Sequence, residues 1–217
     1  MRPPAPPRRP VCVATDLDRT FSNADLTLSP RALARAQELR RQGVTMVLAT
    51  GRSERELAMD RLRPCFDAMV IEGGARWRSG GRWHAVADVE ALWTLADALE
   101  SEGHDVRRAV ASFSVAAEAE ALLPRDDSVT WLRNAERVDV TPAGVDKAFG
   151  VRRALGGQSP WLLAVGDSHN DVPLLRGADC GVAVANAVPE AVAASTMVAP
   201  FAASQGFLWS VQGLDAP

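Results

Sequence analysis

The segment VCVATDLDRT, residues 11–20, ends an apolar run in two carboxylates one residue apart, Asp16 and Asp18, with Thr20 close behind. Alternate residues of an extended strand point the same way, so at a strand end both carboxylates can reach one point. Three other stretches place polar residues at a strand end or a helix start. ATGR supplies Thr50, Gly51 and Arg52; DKAFG supplies Lys147; GDSHND supplies Asp167, Ser168, Asn170 and Asp171. Four carboxylates brought together would repel one another, and each stays ionised only beside a compensating cation. Oxygen donors without a His/Cys cluster favour a hard divalent ion, Mg²⁺, over zinc. A cation next to a lysine and a hydroxyl suits a phosphoryl group: Lys147 and the ion spread its charge while backbone N–H groups hold the remaining oxygens. A carboxylate in line with phosphorus can then act as a nucleophile and form an aspartyl-phosphate.

These residues need elements to hold them. Val11 to Thr15 read as a buried strand. SPRALARAQELRRQG, residues 29–43, reads as a helix capped by Ser29, opened by Pro30 and stopped by Gly43. VTMVLAT, residues 44–50, is again a continuous apolar run, so strand, helix and strand form a βαβ unit in a parallel sheet covered on both faces. The alternation continues through a helix at 53–62 and a strand at 66–74, and resumes after Lys147 with strands at 161–167 and 180–186, a helix in VPEAVAAS and a last strand in TMVAP. The middle differs. It holds an amphipathic helix in DVEALWTLADALESEG, another near VAAEAEALL, a hairpin signal through Gly80-Gly81, and strands in DVRRAVAS, SVTWLR and RVDVTP. The expected architecture is α/β: a Rossmann-like parallel-sheet core at 11–75 and 145–217, an inserted small α+β unit at 76–144, and a disordered proline-rich tail at 1–10. Ligands of such sheets bind at the carboxyl ends of the strands, where the polar residues lie.

Composition narrows the partners. The 217 residues are 47% hydrophobic and 24% charged, with a formal net charge of −3. That balance argues against nucleic-acid binding through a basic surface, and no apolar stretch is long enough to span a bilayer. Three separated cysteines, Cys12, Cys65 and Cys180, have no metal-like spacing and fit a reduced, cytoplasmic compartment. The oligomeric state is left open, with a homodimer allowed.

Taken in order, the four motifs resemble the haloacid dehalogenase superfamily, in its branch with a cap inserted between the second and third motifs. DLDRT resembles the D-x-D-x-T motif, LATGR the second, VDKAFGVRRAL the lysine motif, and GDSHNDVPLL the acidic fourth. The resemblance implies a Mg²⁺-dependent phosphomonoesterase acting on a small phosphorylated metabolite, a sugar phosphate or a phosphoglycolate-like acid. It makes Asp16 the nucleophile and Asp18 the general acid/base. Asp16, the backbone carbonyl of Asp18, Asp167 and Asp171 would bind Mg²⁺. Thr50 and Lys147, with Gly51, Arg52 and Asn170, would serve the substrate, although Arg52 reads equally as the ion-pair partner of an acidic residue. A phosphosugar mutase of the same fold remains open, since it differs only in whether free phosphate is released. A phosphoacceptor signalling module is disfavoured by Asp18, because an acid/base beside the nucleophile shortens the life of a phosphoenzyme.

The chain departs from the family pattern at Arg19, where glycine is usual, at Phe21, and at Gly73, where asparagine is frequent. Arg19 reads as a solvent-facing residue or as added charge near the substrate, with the first favoured. His169 reads as a loop residue, and His84 and His104 as surface residues of the insert. Trp77, Trp83, Trp93 and Trp131 read as packing of the inserted unit. Arg76, Arg78, Arg82, Arg107, Arg108 and Arg133 read as solvated charge from which no single substrate ligand is chosen.

Overall fold

The computed structural model describes residues 10–134 and 136–214, so the expected tail lies, apart from Pro10, outside the described residues. The opening apolar run forms β1 (Val11–Thr15). Its side chains alternate between two cores: Val13 faces one, Cys12 and Ala14 the other. The chain then forms α1 (Pro30–Arg41), with Ser29 Oγ accepting the Ala32 N–H as a cap. It continues through β2 (Thr45–Ala49), α2 (Met59–Leu62) and β3 (Ala68–Ile71). The helix expected over 53–62 is split into a turn at Glu54–Glu56 and the short α2.

After β3 come the hairpin β4 (Arg76–Ser79) and β5 (Arg82–Ala85), then α3 (Glu90–Ser101), β6 (Val106–Arg108), β7 (Phe113–Ala116), β8 (Val129–Asn134) and β9 (Arg137–Pro142). The rest is α4 (Lys147–Ala154), β10 (Trp161–Gly166), α5 (Val172–Gly177), β11 (Cys180–Ala183), α6 (Pro189–Ala194), β12 (Met197–Val198) and α7 (Ala203–Ser210). The helix expected near VAAEAEALL is a 3-10 segment, Ala117–Leu122, in which only Ala119 is buried. Such a stretch has too narrow an apolar stripe to hold a full α-helix by packing.

Eight strands form the large sheet in the order β12-β11-β10-β1-β2-β3-β4-β5. Pairing is parallel from β12 to β3 and antiparallel through β4 and β5. The hairpin at 76–85, expected in the inserted unit, is therefore the edge of the core sheet. Gly80 and Gly81, at φ 54° and 81°, make its two-residue turn. Trp77 packs in the core beneath it, and Trp83 donates through Nε1 to Glu54. Only Trp93 and Trp131 join the packing of the inserted unit.

On one face of the large sheet α1 and α7 cover Val13, Met46, Leu48, Leu163 and Val165; on the other α4, α5 and α6 cover Ala14, Val47, Ala49 and Ala164. The inserted unit is a four-stranded antiparallel sheet, β6-β7-β9-β8. Leu92, Ala96 and Leu99 of α3 pack on Phe113, Val115, Val138 and Val140. Alternation sends the residue between those two valines, Asp139, to the opposite face, toward the large sheet.

The order of strand addition reverses about β1: β2 and β3 lie on one side, β10 to β12 on the other. A crevice opens there at the carboxyl ends of the strands. Gly74, at φ 111°, brings the turn after β3 against the start of α4, since a Cβ there would overlap the Asp146 carbonyl oxygen. That close approach sets where Lys147, the first residue of α4, begins.

Candidate functional site

Asp16 follows β1 directly, and its N–H continues the ladder to Val165 O of β10 at 2.9 Å. Opposite, the turn after β10 carries Asp167, Ser168, Asn170 and Asp171. The first residue of α4 closes the triangle. Lys147 Nζ donates to Asp16 Oδ1 at 2.7 Å and to Asp171 Oδ1 at 2.6 Å, and its side chain is 1% exposed. Asp171 Oδ2 accepts the N–H groups of Asp167 and Ser168, each at 3.0 Å. Asp167 is held by Thr20 Oγ1 at 3.3 Å and by Asn186 Nδ2 at 3.1 Å.

The charges do not balance at this point. Asp16, Asp167 and Asp171 each offer an oxygen within 4.8 Å of the others, and one lysine faces them. Burial pushes the Asp16 carboxyl well above its usual range; Lys147 opposes this, while Asp171 and Asp167 reinforce it. Asp167 is pushed up to about 6, first by burial and then by repulsion from Asp171. Burial alone would lower Lys147, but the carboxylates of Asp16 and Asp171 reverse this and hold it above the ordinary lysine range. A cradle of carboxylate oxygens with unspent negative charge fits a hard divalent cation. The side chain of Asp18 stands outside that trio.

Asp18 instead faces Arg52. Its carboxylate takes the guanidinium fork, with Nη2–Oδ1 at 2.6 Å and Nε–Oδ2 at 2.8 Å. Arg52 Nη1 also donates to Glu56 O at 3.1 Å. The hydrogen bonds it donates to Asp18 raise the Arg52 pKa further. Of the two roles open to Arg52 in the sequence, beside the substrate or paired with an acidic residue, the structure shows the pair, with the second aspartate, and a bidentate pair fixes orientation as well as charge. Thr50 is 1% exposed at the end of β2, and its Oγ1 accepts the Arg52 N–H at 3.2 Å. Asn170 is buried; its Nδ2 donates to Asp139 Oδ2 at 3.3 Å, while its Oδ1 has no partner among the described residues.

That last contact involves a residue the motifs did not reveal. Asp139 reaches down from β9 and also accepts from Asn134 Nδ2 at 2.8 Å. Burial raises its carboxyl above the usual range. A Cβ on Gly51 would lie 2.6 Å from Asp139 Oδ2 and 2.9 Å from Asn134 Nδ2, so only glycine lets the inserted unit sit this close to the β2 turn. Asn186 was missed as well. It donates to Arg19 O and to Asp167, and its Oδ1 accepts the Ala203 N–H at 2.7 Å. A polar residue at the end of the strand CGVAVAN was the available signal. His169 lies by Glu190 at 3.4 Å, at the rim.

A cavity of about 460 Å³ opens over Asp16, Asp18, Thr50 and Asp167, with Arg133 and Asn134 of the inserted unit on its roof. A wider cleft of about 890 Å³ adjoins it between the two sheets. Among the described residues no helix is long and apolar enough to cross a membrane. The three cysteines are buried and unpaired.

Three comparisons bear on this geometry. Residues 13–61 and 114–210 match the family model described as haloacid dehalogenase-like hydrolase. A phosphoglycolate phosphatase of Natronomonas pharaonis is 30% identical over 215 residues, covering 90% of this chain and 94% of its own length. A solved haloacid dehalogenase-like hydrolase from B. subtilis superposes with a TM-score of 0.80 at 17% identity, over 92% of this chain and 98% of that one. A solved sugar phosphatase of subclass IIB gives 0.75 at 20%, over 87% and 92%. At those identities the two structures speak for the fold.

Proposed function

The chain belongs to the haloacid dehalogenase-like hydrolase family and is a phosphatase, and from that premise we propose that it hydrolyses a small phosphomonoester through an aspartyl-phosphate on Asp16, with Mg²⁺ as cofactor. The observation that carries this reading is Lys147 clamped between Asp16 and Asp171 at the reversal of the sheet. A carboxylate oxygen of Asp16 attacks phosphorus, and the bond to the leaving oxygen breaks. Asp18, protonated and released from the Arg52 fork, gives that oxygen a proton. It then takes one from the water that cleaves the acyl phosphate and releases inorganic phosphate. Such general acid–base help is worth about 10²–10⁴-fold. Lys147 and Thr50, with the Gly51 N–H, would hold the phosphoryl oxygens. Asp16, Asp167 and Asp171 would hold Mg²⁺, with the Asp18 backbone carbonyl as a further donor. When bound, Mg²⁺ supplies positive charge to the transferring group and to the carboxylates around it.

The phosphoglycolate phosphatase name of the Natronomonas relative and the sugar phosphatase fold neighbour mark the two substrate classes to try. Phosphate release from a panel of small phosphorylated acids and sugar phosphates should depend on Mg²⁺ and stop with EDTA. No release from any member, with the protein folded and Mg²⁺ bound, would overturn the reading in favour of a mutase.

The unbalanced carboxylates also predict a stability effect. Asp16 and Asp167 have folded pKa values raised above their unfolded ones. Their stabilising contribution is therefore complete at low pH and is lost as pH rises through the folded values, for Asp167 through about 6. Metal-free protein should lose stability over that range. Saturating Mg²⁺ should raise the melting temperature at pH 7.5 by about 5–10 °C, and by clearly less at pH 5, where protons compete. Equal shifts at both pH values in scanning calorimetry would contradict this.

A further inference from the structure

Arg19 sits in the loop that follows the nucleophile strand with φ 55°, the left-handed region that costs an L side chain and suits glycine. The loop is tied down on both sides of it. Arg19 N–H donates to Ser22 Oγ at 3.0 Å, and Arg19 O accepts from Asn186 Nδ2 at 3.1 Å. The backbone thus fixes the direction of an exposed side chain. That side chain lines both the cavity over Asp16 and the wider cleft beside it. Among the described residues it makes no direct ion pair, although its charge acts at longer range on Asp167.

The cleft contains other arginines, and most are spent. Arg52 holds Asp18, Arg137 holds Asp105 at 2.6 Å, and Arg108 holds Asp97 and Glu100. Arg55 has no ion-pair partner among the described residues, and Arg107 has exposed Asp105 at 3.4 Å and acts at longer range on Glu56. Of the cleft's four carboxylates, Glu136 is exposed and three are engaged elsewhere. Glu56 accepts from Ser53, Glu72 accepts the N–H groups of Val110 and Ala111, and Asp139 accepts from two asparagines. Arg19, Arg55 and Arg107 outnumber Glu136, so net positive charge borders the passage from the phosphoryl cavity into a cleft of about 890 Å³. That volume is of the size that takes a whole metabolite, well beyond a two-carbon acid.

We propose that Arg19 is a specificity-determining residue that binds a second anionic group, carboxylate or phosphate, carried on the leaving group of the substrate and seated in this cleft. The inference rests on the phosphatase reading above and narrows its substrate class to bis-anionic phosphomonoesters. Arg55 and Arg107 give the same group a cationic surround farther out.

The test compares matched pairs on the Mg²⁺-loaded full chain: fructose 1,6-bisphosphate against fructose 6-phosphate, and 3-phosphoglycerate against glycerol 3-phosphate. The first pair reads a second phosphate and the second pair a carboxylate. The native protein should favour the bis-anionic member of at least one pair. Arg19→Gly should cut that preference about 10–100-fold, through KM more than kcat, and Arg19→Lys should retain part of it. Glycine relaxes the left-handed backbone, so the variant should melt no lower than native. No preference in the native protein, or a preference that Arg19→Gly leaves intact, overturns the proposal. Calorimetric binding of the same bis-anionic compounds decides it independently of turnover. If no compound releases phosphate, the phosphatase reading fails; binding weakened by Arg19→Gly would still support the anion site, and unchanged or absent binding would overturn it.

Discussion

Replacing Asp16 by asparagine should lower phosphate release by at least about 10³-fold, because the group removed is the proposed nucleophile and no neighbour can take its place. Asp171 is engaged by Lys147 and two N–H groups, and Asp18 by the Arg52 fork. The protein should remain folded. An asparagine Oδ1 can still accept from Lys147, and the variant removes a charge whose burial is unfavourable. In metal-free buffer at pH 7.5 the variant should melt at or above the native temperature, whereas its gain on adding Mg²⁺ should shrink. Phosphate release and calorimetry on the same preparations check both halves. A variant that unfolds, or one that keeps a tenth of the native rate, would show that Asp16 is structural rather than reacting.

How far these contacts could be read beforehand follows from where their information lies. Asp16, Lys147 and Asp171 are far apart in sequence, yet each sits at the end of an apolar run or the start of a helix. The reversal of a parallel sheet about its first strand brings such ends together. Local pattern sufficed for them. It did not suffice for Asp139, one polar residue in an alternating strand, whose contact with Asn170 depends on how the inserted sheet docks. Nor did it reveal that Arg52 turns back on Asp18, since an exposed arginine after a strand reads the same in either role. The hairpin at 76–85 misled for a related reason. Alternation and Gly80-Gly81 specify a hairpin but not which sheet it extends. Pairing with β3 and the packing of Trp77 against Phe149 of α4 decide that, and both are tertiary. Arg19 was legible as a departure; its positive φ and its place on two cavities were not.

Lys147→Met should cost more stability than any other single change at this site, and should lower the rate as well. The side chain is almost fully enclosed, and two of the three clustered carboxylates hydrogen-bond to it directly. Removing one partner of a buried ionic cluster leaves uncompensated charge and costs about 3–5 kcal/mol. Removing a donor aimed at phosphoryl oxygens costs a further 10²–10³-fold or so in turnover. The pH dependence separates these effects from simple loss of packing. Without the ammonium, the carboxylates rise further above their unfolded values, so the variant should regain stability as pH falls from 7.5 toward 5 and they protonate. The native protein, with Lys147 in place, should respond less over the same range. Mg²⁺ should restore part of the variant's stability at pH 7.5, because a divalent cation answers the same three oxygens, while turnover stays low for want of the donor. Denaturant unfolding at the two pH values, with and without Mg²⁺, reads all of this. A deficit independent of pH and of cation would mean that Lys147 acts there by filling space, and that the electrostatic account of the cluster is wrong.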